Sequence, residues 1–246
     1  EFCSFGAGGD RFRRRNSVKD KNMERQIDIN EVSDGKLYGL EDMVRAGCGG
    51  CAGCSACCRG MGNSVVLDPL DVHRLEVGTR MGFETLLSGH LELNVVDGIV
   101  LPNLKMTGVG EQCTFLDENG RCTIHGFRPG ICRIFPLGRL YENGSFRYFL
   151  QIHECKKKSR AKVKVKKWID VPDAVSYDTY ISRWHNFLKE LQTGIREDNT
   201  GQAAKTISMV ILKKFYMTPF DKDADFYGQF DKRISDVRGL LGIGCS

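Results

Sequence analysis

The sequence predicts an α+β protein: a small cysteine-rich metal-binding core of short helices and β-hairpins, followed by a C-terminal bundle of three helices. Three observations lead there. Nine of the eleven cysteines fall between residues 48 and 155. The turn pairs Asp97-Gly98, Asn119-Gly120 and Asn143-Gly144 each divide short runs of strand character in that stretch. From Pro172 onward the apolar period lengthens to that of a helix.

Residues 1–22, EFCSFGAGGDRFRRRNSVKDKN, are Gly- and Arg-rich and carry no hydrophobic period. They read as a disordered leader, a cloning remnant or mis-called upstream coding, with Met23 opening the ordinary sequence. A cysteine-cluster domain is expected over 23–170 and a helical region over 171–246. Ser64–Leu67 reads as a short strand. Asp68 is a helix N-cap with Pro69 at the first helical position, and Leu70, His73, Arg74 and Val77 come after it. A second short helix starts near Gly82. Hairpins are expected in LNVVDGIVLPNL, TFLDENGRCTI and GRLYENGSFRYFLQI. In the last, Phe146, Tyr148, Leu150 and Ile152 alternate with Arg147, Phe149 and Gln151, which gives one apolar face. Tyr177, Tyr180, Ile181, Trp184, Phe187, Leu188 and Leu191 are helically spaced. So are Ala204, Ile207, Ile211, Leu212 and Phe215, and then Phe226, Phe230, Ile234, Val237 and Leu241.

Composition sets the chemistry. The chain is 41% apolar and 27% charged, as a globular protein is. It has no run of about 18 apolar residues and no visible charged-then-apolar cleavage pattern, so the expected compartment is the cytoplasm. There, eleven cysteines point away from a disulfide framework and towards metal ligation. Cys51, Cys54 and Cys57 form C-x2-C-x2-C, the loop spacing that wraps an iron–sulfur centre with three thiolates and takes its fourth ligand from elsewhere; C-x2-C pairs also bind zinc. Cys58 is adjacent to Cys57, so the two side chains diverge and can serve different centres. Cys113, Cys122, Cys132 and Cys155 bring the set to eight, enough for two four-ligand centres or for one centre with spare thiols.

CAGCSACC, CTFLDENGRCTI and RPGICRIFP, in that order, resemble the YkgJ-type cysteine-cluster family, whose core is a zinc- or iron-chelating CxxCxxCC domain. The resemblance spans about residues 48–156. It carries the family's cysteines onto Cys51, Cys54, Cys57, Cys58, Cys113, Cys122, Cys132 and Cys155. Its paired positions fall on Arg128, Pro129, Cys132, Arg133, Phe135 and Pro136. Cys48 lies outside the pattern, and His125 stands where the family has tyrosine. The family includes flagellin lysine N-methylases, so the resemblance also implies, as an alternative, methyl transfer to protein lysines from S-adenosylmethionine. No glycine-rich strand–turn–helix for such a cofactor is visible. A metal carrier is a further alternative.

Arg59, Arg128 and Arg133 flank the cysteines. Four thiolates on an oxidised four-iron (4Fe-4S) cluster leave a charge of about −2, which these cations can offset while donating hydrogen bonds. The partners expected are metal ions and a protein substrate or redox partner. The net charge of +5 is local, since residues 156–167, KKKSRAKVKVKK, hold eight positive charges and no negative one. Alternation of Lys162, Lys164 and Lys166 with Val163, Val165 and Lys167 suits an edge strand with lysines facing water, rather than a nucleic-acid surface. His153 reads as a strand-end residue and His73 and His185 as structural or exposed.

Overall fold

The computed structural model describes residues 29–49, 54–157 and 159–243. Its elements, in chain order, begin with α1 (Ile29–Val32), β1 (Ser33–Tyr38) and β2 (Met43–Gly47). Next come α2 (Pro69–Thr79), α3 (Phe83–Gly89), β3 (Leu91–Val96), β4 (Ile99–Leu104), β5 (Met106–Thr107), β6 (Gln112–Cys113) and α4 (Gly130–Ile134). Then β7 (Leu137–Glu142), β8 (Ser145–Gln151), β9 (Ala161–Lys164) and α5 (Val165–Ile169) lead to the long helices α6 (Ala174–Glu197), α7 (Gln202–Ile211) and α8 (Phe226–Leu241). Among the described residues the strands form a three-stranded sheet, β1-β8-β7, and the two-stranded ladders β2-β9, β3-β4 and β5-β6, all antiparallel. The α+β architecture with C-terminal helices is as expected.

Two of the three hairpins form as the turn residues dictate. Asp97 and Gly98 have φ of 49° and 85°, and Asn143 and Gly144 have 51° and 76°. Two left-handed residues in succession make the turn whose twist matches its flanking strands. The third is a correction. Around Asn119-Gly120 the ladder shrinks to one bridge, Leu116 to Cys122. Asp117 turns the chain there, its carboxylate accepting from the N–H groups of Asn119 and Arg121 at 2.9 and 2.7 Å. The strands cannot extend because Cys122 leads within three residues into a 3-10 turn, His125–Phe127.

Ser64–Leu67 is likewise less than a strand. It touches β4 through a single bridge, Val66 to Asn103, flanked by backbone bonds from Leu67 to Pro102 and from Leu104 to Val65. Pro102 has no N–H to return to Leu67; the Tyr216 hydroxyl donates to that carbonyl instead, at 2.9 Å. Asp68 then caps α2 as expected. It accepts from the Asp71 N–H at 2.9 Å, while the Asp71 carboxylate accepts from the Asp68 N–H, a reciprocal capping box.

A second correction concerns the basic run. The strand predicted through AKVKVKKWI ends at Lys164, and α5 begins at Val165. Val165 and Ile169 are fully buried while Lys167 between them is exposed; a strand would set all three on one face, whereas a helical turn groups the first and last and turns Lys167 away. Lys164 and Lys166 both reach Glu41, at 3.0 and 2.5 Å, rather than standing free in water.

The three long helices bury most of the positions their period marks, with Ala204, Leu212 and Leu241 only half-buried. Every one of the seven apolar residues named on α6 is buried. Trp184 packs on Phe215 and Phe230, with ring centroids 5.0 and 6.0 Å apart. Phe215 sits in a π-helical extension of α7, Leu212–Met217. One hydrophobic cluster includes Leu67, Leu75, Leu104, Cys113 and Tyr148 together with residues of all three helices. Buried polar contacts cross the same boundary. The Tyr180 hydroxyl donates to Asp68 at 3.0 Å, Tyr148 donates to Asp178 at 2.6 Å, and Arg139 donates to the Tyr177 hydroxyl at 3.0 Å. No helix among the described residues is long and apolar enough to cross a membrane.

Candidate metal centre

Cys57 and Cys58 sit in a 3-10 turn, Ala56–Cys58, closed by the bond from the Cys58 N–H to the Ser55 carbonyl at 3.0 Å. Arg59 and Gly60 clamp this turn to the next cysteine. Arg59 forms a β-bridge with Gln112, its guanidinium donates to the Gln112 side chain at 2.6 Å, and the Gly60 N–H reaches the Glu111 carbonyl at 3.0 Å. Cys113, directly after Gln112, is thereby tied to the turn that carries Cys58. It is buried and paired with Met106 across β5-β6.

Cys113-Thr114-Phe115 and Cys122-Thr123-Ile124 repeat one device. Each thiol sulfur accepts from the backbone N–H two residues on, Phe115 for Cys113 and Ile124 for Cys122. An N–H directed at sulfur stabilises the thiolate. The Thr123 N–H and hydroxyl both donate to the Phe115 carbonyl, at 2.9 and 3.0 Å, which locks the two segments together.

Cys132 arrives on α4, and the position of this helix is set from a distance. The Gly130 N–H donates to the Asp71 carboxylate at 2.7 Å, across 59 residues of sequence. A Cβ at Gly130 would run into the Tyr177 hydroxyl. Arg133, only 5% exposed, donates to the carbonyls of Asp170 and Gly126, both at 2.9 Å. The 3-10 turn before α4 rests on α2 through Phe127, whose ring lies where a Cβ of Gly78 would be, about 2.5 Å from it.

The thiols of Cys57, Cys58, Cys113, Cys122 and Cys132 consequently share one electrostatic neighbourhood. Cys57 and Cys58 hydrogen-bond to each other, which lowers the Cys57 pKa to about 7 and, with burial and the charges of Cys57, Cys132 and Cys122, raises that of Cys58. Burial first, then Cys113, Asp71, Cys57 and Cys122, pushes Cys132 well up. Cys113 and Cys122 are raised mainly by burial. The Arg128 cation favours the thiolates of both Cys57 and Cys122. Its NH1 nitrogen also donates to the His125 carbonyl at 3.1 Å and lies against the His125 ring.

A second grouping lies next to the first. A cavity of about 20 Å³ is lined by Cys48, Cys54, Cys57 and Cys155, with Phe135 and Pro136, joined by a cis peptide bond, as its apolar wall. Glu154 and Lys156 also reach it, and His153 is exposed. Among the described residues no three Cys, His, Asp or Glu side chains are already set around one point as a metal shell. Cys51 lies outside the described residues, as do Cys3 and Cys245 and the expectation for residues 1–22. The donor chemistry still fits a thiophilic metal: sulfur ligands, N–H groups aimed at two of them, and an arginine charge beside them.

Of the arginines marked by sequence, Arg128 stands in the field of the thiols, Arg59 is engaged by Gln112, and Arg133 by backbone carbonyls. Sequence reasoning passed over Asp71 and Gly130 and marked Tyr177 only as an apolar helix position; all three position α4. No local motif announces them. The remaining histidines are stacked on aromatic rings: His90 on Phe115, His73 on Phe226 and His185 on Tyr141.

Residues 50–164 match the model of a family described as "CxxCxxCC: Putative zinc- or iron-chelating domain". No curated protein and no solved structure matches the chain. Three cysteine motifs in order, covered by this match, agree with the resemblance read from the sequence. Residues 50–164, just under half of the chain, are thus the part that is similar to the CxxCxxCC cysteine-cluster family.

Proposed function

We propose that this chain holds iron–sulfur chemistry or zinc through cysteine thiolates drawn from Cys51, Cys54, Cys57, Cys58, Cys113, Cys122, Cys132 and Cys155, with an iron–sulfur cluster as the leading reading. The observation that carries it is the convergence of five thiols from three separate segments into one mutual field, with Arg128 beside them. Packing alone offers no reason for this. Buried thiols raise one another's proton affinity, and a cation that takes the place of those protons relieves the cost.

Each part of the chain has a task. The Phe115 and Ile124 N–H groups hold negative charge on the Cys113 and Cys122 sulfurs. Arg128 offsets that charge and hinders protonation of Cys57 and Cys122. Asp71 and Arg133 fix the helix that presents Cys132. A bound iron–sulfur cluster would supply one-electron transfer, and zinc a structural cross-link.

The test is anaerobic purification followed by iron, acid-labile sulfide and zinc analysis. A brown protein with broad absorption near 400 nm and iron equal to sulfide is the expected result. A colourless protein carrying only zinc refutes the cluster and keeps the thiolate centre. A chain with no metal, whose Cys113→Ser and Cys132→Ser variants are indistinguishable from it, refutes both.

A further inference from the structure

The geometry points to Cys48 as a metal ligand in its own right, joining Cys54, Cys57 and Cys155 in a four-thiolate site for a single divalent ion at the edge of the inner cysteine set. Nothing in the family match includes this residue, because the match begins at residue 50. The inference rests on the reading that the cysteines bind metal.

Two independent observations lead to it. The first is placement. The ladder β2-β9 pairs Gly47 with Ala161 at its end. A Cβ on Gly47 would stand 3.1 Å from the Ala161 carbonyl oxygen and 3.3 Å from its side chain. Glycine therefore lets the strands close, and the next residue, Cys48, is delivered to the cavity that Cys54, Cys57 and Cys155 also line. Gly49 follows with φ of 67°, in the left-handed region that suits glycine. The second observation is spacing. Cys48, Cys51, Cys54 and Cys57 recur every third residue, so Cys48 extends the ligand loop by one further period.

The chemistry suits one ion. The cavity of about 20 Å³ has room for a single water-sized body. Each thiol that ligates releases its proton to solvent, and the sulfur lone pair forms the bond to the metal. Lys156 and Lys157 line the same cavity and offset part of the charge left on four thiolates. Cys57 belongs to both groupings, through this cavity and through its hydrogen bond to Cys58.

The experiment uses the full chain, stripped with a chelator under reducing anaerobic conditions and reloaded with Zn²⁺. Alkylation by iodoacetamide is followed at each cysteine by peptide mass mapping. A ligated thiolate is shielded and a poorer nucleophile, so zinc should slow modification of Cys48, Cys54 and Cys155 together, by about tenfold or more. Cys48→Ser should bind less zinc per chain than the parent while retaining its circular dichroism. Should that variant fail to fold, the protection pattern in the parent decides alone. If Cys54 and Cys155 are protected and Cys48 reacts at the same rate with and without zinc, the assignment of Cys48 is overturned and the wider proposal stands. If zinc protects no cysteine, the single-ion site falls, while iron and sulfide analysis of the unstripped chain decides the wider proposal separately.

Discussion

Gly130→Ala is the change that best tests how Cys132 is held in place. Gly130 opens α4, and its φ is not in the left-handed region, so backbone preference alone favours alanine by about 1 kcal/mol. The surroundings oppose it. The new methyl would meet the hydroxyl of Tyr177, a fully buried residue whose hydroxyl already accepts from Arg139 at 3.0 Å. Overpacking at such a site costs about 1–3 kcal/mol. Relieving the clash pulls the Gly130 N–H from the Asp71 carboxylate, 2.7 Å away, and an unmet buried acceptor costs about 1–3 kcal/mol more. The net loss is about 3 kcal/mol, a fall in melting temperature of roughly 6–12 °C for a chain of this size. Urea unfolding followed by circular dichroism measures it, with metal content determined in parallel. Gly126→Ala is the control, because nothing lies within 4 Å of its Cβ position. Tyr177→Phe should restore part of the loss in the Gly130→Ala background by removing the clashing oxygen. A Gly130→Ala chain as stable as the parent, with full metal content, would refute the tether.

Three further outcomes rest on the same contacts. Burial, and then the charge of Asp68, raises the Asp71 pKa to about 8 from an unfolded value of about 4. The native state therefore binds the extra proton, and the stability this contributes is complete below about pH 4 and is lost as pH rises through about 8. Asp71→Asn should flatten the decline in stability between pH 6 and 8.5, read by urea unfolding of both chains at each pH. Arg128→Ala removes the cation that favours the Cys57 and Cys122 thiolates; metal affinity should fall about tenfold in chelator competition, with Arg128→Lys intermediate. Arg133→Ala strips donors from the Gly126 and Asp170 carbonyls and should cost about 3 kcal/mol in urea unfolding.

Local chemistry was legible in the sequence where a few adjacent residues decide the outcome. Asp97-Gly98 and Asn143-Gly144 specify their turns, Asp68-Pro69 starts a helix, and the aromatic period of α6 marks its buried face. Prediction lost accuracy where distant partners compete. Val165 alternates with lysines like a strand residue, yet burying Val165 and Ile169 while keeping Lys167 exposed makes the chain coil, with Glu41 recruiting Lys164 and Lys166. At the candidate site, the cysteine types and spacings named the chemistry. Which thiols converge depends on the Arg59–Gln112 bridge and the Asp71–Gly130 bond, contacts across 53 and 59 residues that leave no local signature. Cys48 lies outside the pattern read from the sequence, and only the β2-β9 ladder carries it to the cavity that Cys155 also lines.

The central claim is that these cysteines bind metal as thiolates, and X-ray absorption at the iron and zinc edges of the anaerobically purified chain tests it most directly. The account predicts a coordination shell dominated by sulfur, at about 2.3 Å for zinc, diminished in the Cys113→Ser and Cys132→Ser variants. A shell of nitrogen or oxygen at about 2.0–2.1 Å, unchanged by either substitution, would contradict it.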